Sequence, residues 1–245
     1  MPLSGNLAYR LYQTVWTGLD WLYPPVCAGC NQSGARWCAS CQQSVQRVSS
    51  MVCPCCGQVQ TTANLCSRCQ SEPPQYAALR SWAVFSGKIR DAQHRLKYRR
   101  DIALGEVLAR PLIEYLKQLN WSIDLILPVP LSAARMAERG YNQAALLARP
   151  IGLALGLKYR SQALSRARET RSQVGLSHAL RKENVKGAFV AHRELVNGQS
   201  VLIVDDVVTT GSTLDACATA LVAAGARSVY GLTLARAILH TTDSL

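Results

Sequence analysis

The pattern of apolar and polar residues changes character twice along the chain. At the start, apolar residues recur at near-helical spacing, at Leu7, Leu11, Val15, Leu19 and Leu22. Pro24-Pro25 ends this pattern, so residues 1–26 are predicted to form an N-terminal helical segment. Residues 27–72 contain no long apolar run and cannot build a hydrophobic core of useful size. Glu72-Pro73-Pro74 is the natural linker to a third segment, residues 76–245.

The third segment alternates apolar runs with amphipathic stretches. The predicted strands are 79–85, 124–130, 199–205 and 228–235, and the predicted helices are 102–119, 144–155 and 213–224. This alternation is typical of an α/β domain built on a parallel sheet. Ligands of such sheets bind beyond the carboxyl ends of the strands, so the residues that follow each predicted strand are the first candidates for chemistry.

No run of ~18 uncharged apolar residues is present, and the N-terminal segment lacks a continuous apolar stretch and a cleavage signal. We therefore expect a cytoplasmic protein without membrane insertion.

Cysteine is concentrated in the second segment. Nine of the ten cysteines lie between Cys27 and Cys69. In a reducing compartment this density favours a metal site over disulfides. Four Cys-x-x-Cys pairs can be formed, Cys27/Cys30, Cys38/Cys41, Cys53/Cys56 and Cys66/Cys69. Two such pairs complete one tetrahedral Cys₄ site, so we expect structural Zn²⁺, with two ions favoured over one.

Several alternatives stay open for the cysteines. The four pairs could combine sequentially or in an interleaved arrangement, and Cys55 competes with Cys56 as a ligand. Redox-active pairs or an iron–sulfur cluster would use the same residue types. Cys217 lies outside the segment, on a predicted apolar helix, and is expected to be packing.

The most specific pattern begins with an apolar run, residues 201–204. Asp205 and Asp206 follow it, and a turn rich in hydroxyl groups, residues 209–213, leads into the next predicted helix. Backbone N–H groups and hydroxyls of such a turn can enclose a phosphate at a helix N-terminus, where the helix dipole favours an anion. Two neighbouring carboxylates can accept hydrogen bonds from sugar hydroxyls. No lysine follows the glycine, so the turn is not a Walker A loop.

This stretch resembles the phosphoribosyl diphosphate (PRPP) motif of type I phosphoribosyltransferases. The resemblance implies that Asp205 and Asp206 hold the ribose 2- and 3-hydroxyls. It places the 5-phosphate in the loop formed by Val208, Thr209, Thr210, Gly211, Ser212 and Thr213. Mg²⁺ is expected to accompany PRPP.

Two further segments fit the same resemblance. Leu131, Ser132 and Arg135 occupy the place of the pyrophosphate loop, and Arg139 follows them, so Arg135 and Arg139 join the two acids as catalytic candidates. Guanidinium groups suit this role because a planar fork meets phosphate oxygens in two bonds. The flexible loop that closes over PRPP is matched by a segment containing Arg168, Thr170, Gln173 and Arg181.

Four features of the chain together resemble the ComF/GntX family. They are the paired cysteines, residues 94–98, residues 139–143 and the PRPP motif. Its members join a double zinc ribbon to a phosphoribosyltransferase domain, and the resemblance runs from Pro24 to Arg236. It implies a role in natural transformation, in handling incoming single-stranded DNA with competence or recombination proteins. The alternatives are an active transferase on an unidentified small acceptor, or a GntX-like protein without a DNA role. No glutaminase activity is expected, because the chain starts Met1-Pro2-Leu3 without a cysteine nucleophile.

Charge adds a candidate partner. The formal net charge is +12, yet residues 1–75 contain only four arginines against two acids. The surplus in the remainder suggests a polyanionic partner such as nucleic acid. The nucleic-acid candidates are Lys88, Arg90, Arg95, Lys97, Arg99 and Arg100, and Tyr98 among them could stack a base. A solvated basic face, or charge required for PRPP itself, is the competing interpretation.

Overall fold

The computed structural model describes residues 6–168 and 178–238 of the chain. It begins with helix α1 (Leu7–Leu22), and the Asn6 side chain accepts the N–H of Ala8 at its start. The predicted leucine stripe of this helix points to solvent, and the opposite face is buried at Tyr9 and half-buried at Tyr12, Gln13 and Trp16. The reason is a buried carboxylate, Glu106, which must be hydrogen-bonded. Tyr9 donates to it at 3.3 Å and Gln13 at 3.2 Å.

The cysteine-rich segment consists of two similar units. Each unit holds one antiparallel bridge, Val26–Ser33 in the first and Val52–Val59 in the second. Each then ends in a five-residue helix, α2 (Ala39–Gln43) or α3 (Ser67–Ser71), which begins directly after Cys38 or Cys66, the first cysteine of the unit's second Cys-x-x-Cys pair. We refer to these units as the first ribbon (residues 26–43) and the second ribbon (residues 52–71).

Seven strands follow. They are β1 (Ala78–Val84), β2 (Leu125–Pro128), β3 (Lys158–Tyr159), β4 (Leu164–Arg166), β5 (Phe189–Ala191), β6 (Ser200–Val208) and β7 (Ser228–Arg236). Five of them form a sheet in the order β1-β7-β6-β2-β3, in which all pairs are parallel. Strands β4 and β5 form a separate antiparallel pair. The predicted parallel-sheet α/β domain behind a cysteine-rich segment is confirmed.

Helices cover both faces of this sheet. They are α4 (Gly87–Tyr98), α5 (Leu104–Gln118), α6 (Ala133–Arg139), α7 (Gln143–Leu155), α8 (His178–Val185), α9 (Arg193–Val196) and α10 (Ser212–Ala223). Helix α4 was not predicted, because its charged residues conceal a narrow apolar stripe formed by Ile89, Ala92 and Leu96, all buried. Among the described residues, none of the helices combines the length and apolarity needed to cross a membrane.

Strand β6 is longer than the predicted strand 199–205. It continues to Val208, since Asp205, Val207 and Val208 still pair with β7. Asp206, which follows the predicted strand, therefore lies within β6 together with Asp205. Consecutive side chains of a strand point to opposite faces, so Asp205 and Asp206 diverge.

Two apolar cores flank the sheet, and each ribbon extends one of them. The first core contains residues of α5 and α7 together with Cys27, Trp37 and Cys41 of the first ribbon. The second core contains residues of α10 together with the four buried cysteines of the second ribbon. The ribbons are therefore packed into the α/β domain.

A close backbone contact joins the second ribbon to the sheet. The N–H of Leu79 on β1 donates to the carbonyl oxygen of Cys55 at 2.7 Å. Beside this bond Gly57 has φ +69°, and a Cβ at this position would lie 2.3 Å from the carbonyl oxygen of Leu79. Glycine is required here by both its conformation and the space.

The substitution Gly57→Ala tests this docking contact. In the first ribbon Gly34, with φ +104° and open space around its Cβ position, offers a matched control. We expect Gly34→Ala to lower the free energy of unfolding by about 1–2 kcal/mol, the cost of a positive φ. Gly57→Ala should cost about 1–3 kcal/mol more, because the new methyl also overlaps a backbone carbonyl. Equal losses for the two variants, measured by denaturant unfolding, would show that the ribbon does not depend on this contact.

Candidate functional site

The eight paired cysteines form two clusters. Cys27, Cys30, Cys38 and Cys41 form one, and Cys53, Cys56, Cys66 and Cys69 form the other; within each, the sulfur atoms lie within 4.8 Å of one another. The pairs thus combine sequentially, and Cys56, not Cys55, belongs to the second cluster. A tetrahedral zinc ion with Zn–S bonds of ~2.3 Å has sulfur atoms ~3.8 Å apart. The separations Cys27–Cys41, Cys30–Cys38 and Cys56–Cys66 are each 3.7 Å, so both clusters fit structural zinc.

Backbone N–H groups prepare the sulfur atoms to act as thiolates. In the first cluster, Gly29 and Cys38 each donate to Cys27 Sγ at 3.4 Å. In the second, burial opposes ionisation of Cys53, yet donors led by the Cys66 N–H lower the pKa of this thiol to about 6. Burial instead raises the pKa of Cys55, whose sulfur points to the carbonyl oxygen of Tyr76. Cys55 thus stays a thiol outside the cluster.

The predicted phosphate loop surrounds a small cavity between β6 and α10. The cavity measures about 50 Å³ and is lined by Asp205 and residues 207–214. Thr210 Oγ1 and Ser212 Oγ lie 2.9 Å apart, and the Ser212 N–H points to Thr210 Oγ1 at 3.4 Å. Gly211, with φ +86°, reverses the chain before α10 starts. Hydroxyls at the N-terminus of a 12-residue helix form a site suited to an anion.

The two acids of β6 have different surroundings. Asp205 is half-buried and lines the cavity, while its Oδ1 accepts the N–H of Asp206 at 2.9 Å. Asp206 is 7% exposed and turns towards α4. Its Oδ2 accepts Gln93 Nε2 at 2.6 Å and Lys97 Nζ at 2.7 Å. Its Oδ1 accepts the N–H of Val207 at 2.8 Å.

Ionisation follows from these contacts. Burial, and then the charge of Asp206, raise the pKa of Asp205 well above its usual value. For Asp206 burial acts in the same direction, but the Lys97 charge and hydrogen bonds from Lys97 and Gln93 hold its pKa below the usual value. As the pH rises, Asp206 is therefore the first of the two acids to ionise, and Asp205 is the carboxyl group that faces the cavity.

The loop after β2 lies beside the same strand end. Pro128 pairs with Val204 of β6, and the N–H of Val129 donates to Val204 O at 2.9 Å. In this loop, Leu131 is half-buried and Ser132 is buried. Ser132 caps α6 by accepting the N–H of Arg135 at 3.4 Å. The predicted pyrophosphate loop is thus next to Asp205, and Arg135 is half-buried on the first turn of α6.

The other predicted arginines have partners within the chain. Arg139 donates to Gln143 Oε1 at 2.9 Å, and its guanidinium lies 5.5 Å from the Tyr98 ring centroid. Arg168 donates to the carbonyl oxygens of Asn184, near the end of α8, and of Lys186, just after it, at 3.1 and 2.8 Å. Thr170, Gln173 and the side chain of Arg181 lie outside the described residues.

The nucleic-acid candidates divide into inner and outer side chains. Lys97 pairs with Asp206, and Arg95 donates to the carbonyl oxygen of Cys27 at 3.1 Å and to Asp101 at 3.2 Å. Lys88 is half-buried, while Arg90, Arg99 and Arg100 are exposed. Tyr98 is 57% exposed, and its ring centroid lies 4.7 Å from that of His94.

Sequence reasoning missed three contributors to the site. Gln93 was not considered, and Lys97 was assigned to nucleic acid. Their spacing of four residues, which puts them on one face of a helix, was the available signal. Arg68 was also missed, although it lies between two metal ligands. Its Nη1 donates to the carbonyl oxygen of Thr210 in the phosphate loop at 2.7 Å.

Comparison with known families covers both parts of the chain. Residues 18–70 match the double zinc ribbon domain, and residues 101–240 match the phosphoribosyl transferase domain. "DNA utilization protein YhgH" of Salmonella typhimurium is 39% identical over 82% of this chain and 90% of its own.

Two competence proteins are also similar. "Competence protein F" of Haemophilus influenzae is 31% identical over 82% of this chain and 90% of its own. "Competence protein ComFC" of Bacillus subtilis is 26% identical over 81% of this chain and 83% of its own. With both domains matched and relatives aligned along most of its length, the chain belongs to the ComF/GntX family of double-zinc-ribbon proteins with a phosphoribosyltransferase domain.

Proposed function

We propose that the chain binds PRPP in the loop between β6 and α10 and handles single-stranded DNA in the cytoplasm during natural transformation. The observation that carries the first part is the hydroxyl-lined cavity at the N-terminus of α10, with the Asp205 carboxyl group on its wall. A cytoplasmic location agrees with ten free cysteines, since a reducing compartment keeps thiols available for metal.

Each part of the cavity suits one part of PRPP. Thr210, Ser212 and the amides that open α10 would bind the 5-phosphate, because they supply donors where the helix dipole favours negative charge. Asp205 would bind a ribose hydroxyl. The loop containing Ser132, on the neighbouring strand, would bind the diphosphate together with Mg²⁺, which offsets the charge of the diphosphate oxygens.

Asp206 has a different role in this proposal. Three donors already occupy its carboxylate, and it holds α4 against the end of the sheet. It therefore fixes the end of β6, from which the phosphate loop starts.

The DNA part of the proposal is supported by the names of the relatives and by one surface. "DNA utilization protein" and "Competence protein F" describe the relatives, and the surface is the exposed end of α4. There Tyr98 offers a ring for base stacking, with Arg99 and Arg100 next to it for phosphates.

An active transferase is the second candidate, favoured by the position of the Ser132 loop beside Asp205. Release of pyrophosphate from PRPP would identify it.

Single substitutions in the acid pair test PRPP binding. We expect Asp205→Asn to weaken binding of PRPP with Mg²⁺ by about tenfold or more, since a sugar hydroxyl loses a carboxyl partner. Its thermal stability should change little, because the asparagine oxygen can still accept the Asp206 N–H. Asp206→Asn should instead lower the free energy of unfolding by about 2–4 kcal/mol, because Lys97 loses its counter-charge in a mostly buried site.

Calorimetric titration and thermal unfolding provide these two measurements. A wild-type chain that does not bind PRPP, or an Asp205→Asn variant that binds it as tightly as the wild type, would contradict the assignment.

A second prediction concerns the end of α4. Tyr98→Ala should weaken binding of single-stranded DNA by about tenfold, the loss of one stacked base, without changing the salt dependence. Arg99→Gln with Arg100→Gln should weaken binding and lower the slope of log affinity against log salt by roughly 1–2. Lys117→Gln is the control, because it removes a surface cation on α5 that pairs with Glu114. Fluorescence anisotropy across a salt series measures the affinity of the three variants for single-stranded DNA. Identical effects of the three changes would exclude a local DNA site.

A further inference from the structure

The second ribbon contacts the phosphate loop directly. Arg68 lies in α3, between the metal ligands Cys66 and Cys69, and its Nη1 donates to the carbonyl oxygen of Thr210 at 2.7 Å. The bond joins residues 142 positions apart in the sequence. The described part of the chain thus links a metal cluster to the phosphate loop through one side chain.

A loop that encloses an anion needs such a contact. Its peptide N–H groups turn towards the anion, so its carbonyl groups turn away and require donors elsewhere. Thr210 is buried, and Gly211 reverses the chain directly after it. A guanidinium is a strong donor for this carbonyl because its charge strengthens the bond. The bond fixes the orientation of the peptide between Thr210 and Gly211.

The second ribbon is itself held in place on both sides of this bond. Cys55 accepts the N–H of Leu79 at 2.7 Å, and the guanidinium of Arg236, buried on β7, donates to the carbonyl oxygen of Cys56. Beyond the ribbon, the N–H of Gln75 donates at 2.7 Å to Asp215, in the first turn of α10. The position of Arg68 therefore depends on the fold of the second ribbon, which depends on its metal cluster.

We propose that Arg68 is a positioning residue through which the second metal cluster holds the phosphate loop in its anion-binding shape. The identity of the anion rests on the proposed function. The positioning role of Arg68 rests on its contact with Thr210. Arg68 does not line the cavity that contains Asp205, but it lines a neighbouring cavity of about 40 Å³ together with Thr210, Gly211 and Ser212. Its effect on a ligand beside Asp205 is therefore exerted through the peptide of Thr210.

The test compares Arg68→Gln, Arg68→Lys and a control arginine, Arg47→Gln. Arg47 also donates to a backbone carbonyl, that of Trp82 at 3.2 Å, but it lies between the ribbons and away from the loop. For each full-length variant, zinc content, affinity for PRPP with Mg²⁺ and amide hydrogen exchange of residues 209–213 are measured. We expect Arg68→Gln to retain both zinc ions, to bind PRPP about tenfold more weakly and to exchange these amides faster.

The remaining variants make the result specific. Arg68→Lys keeps a charged donor and should restore part of the affinity, whereas Arg47→Gln should bind and exchange like the wild type. Removing zinc from the wild type with a chelator should speed exchange of residues 209–213 in the same way. If Arg68→Gln releases zinc, the positioning role is tested with Arg68→Lys instead, by its affinity for PRPP and the amide exchange of residues 209–213.

Failure of this inference differs from failure of the proposed function. Wild-type affinity and unchanged exchange in Arg68→Gln would overturn the inference and leave PRPP binding intact. A wild-type chain that binds no PRPP would remove the proposed function. Faster exchange of residues 209–213 in Arg68→Gln alone would still support the positioning role in that case.

Discussion

The buried carboxylate of Asp206 is the constraint on which the arrangement of the pocket depends. A charge removed from water is tolerated only when it is paired and hydrogen-bonded. Lys97 and Gln93 supply these partners, so α4 must lie across the carboxyl end of β6. Helix α4 is in turn held at its end, where Tyr141 donates to the carbonyl oxygen of Leu96 at 2.6 Å, and by Arg95, which donates to Cys27 of the first ribbon.

The two ribbons consequently support different elements at the end of β6. The first ribbon holds α4 through Arg95, and the second holds the phosphate loop through Arg68. Each ribbon also completes one of the two apolar cores. Segments this poor in apolar residues could not take such positions by hydrophobic burial alone, and the metal clusters substitute for the missing core. Four thiolates around one Zn²⁺ carry a net negative charge, which suits Arg68 within the second ribbon and Arg236, which donates to it from β7.

The sequence was informative where one physical signal dominated. Strands buried on both faces appear as continuous apolar runs, so β1, β2, β6 and β7 were found with small errors at their ends. The cysteine spacing and the hydroxyl-rich turn were equally specific. Helix α1 was located correctly, but its buried face was not, because periodicity identifies two faces and the buried Glu106 selects the one that carries Tyr9.

Other features depend on tertiary contacts that no local pattern contains. Adjacent acids suggested a shared role, yet the strand continues through them and sends Asp205 and Asp206 to opposite faces. The basic residues of 88–100 suggested one cationic surface, yet helical geometry rotates successive side chains by about 100°. Lys97 therefore pairs with Asp206 while Tyr98 faces solvent. One helix thus holds a buried carboxylate on one side and displays an aromatic ring on the other, which explains why charge alone could not assign its residues to one role.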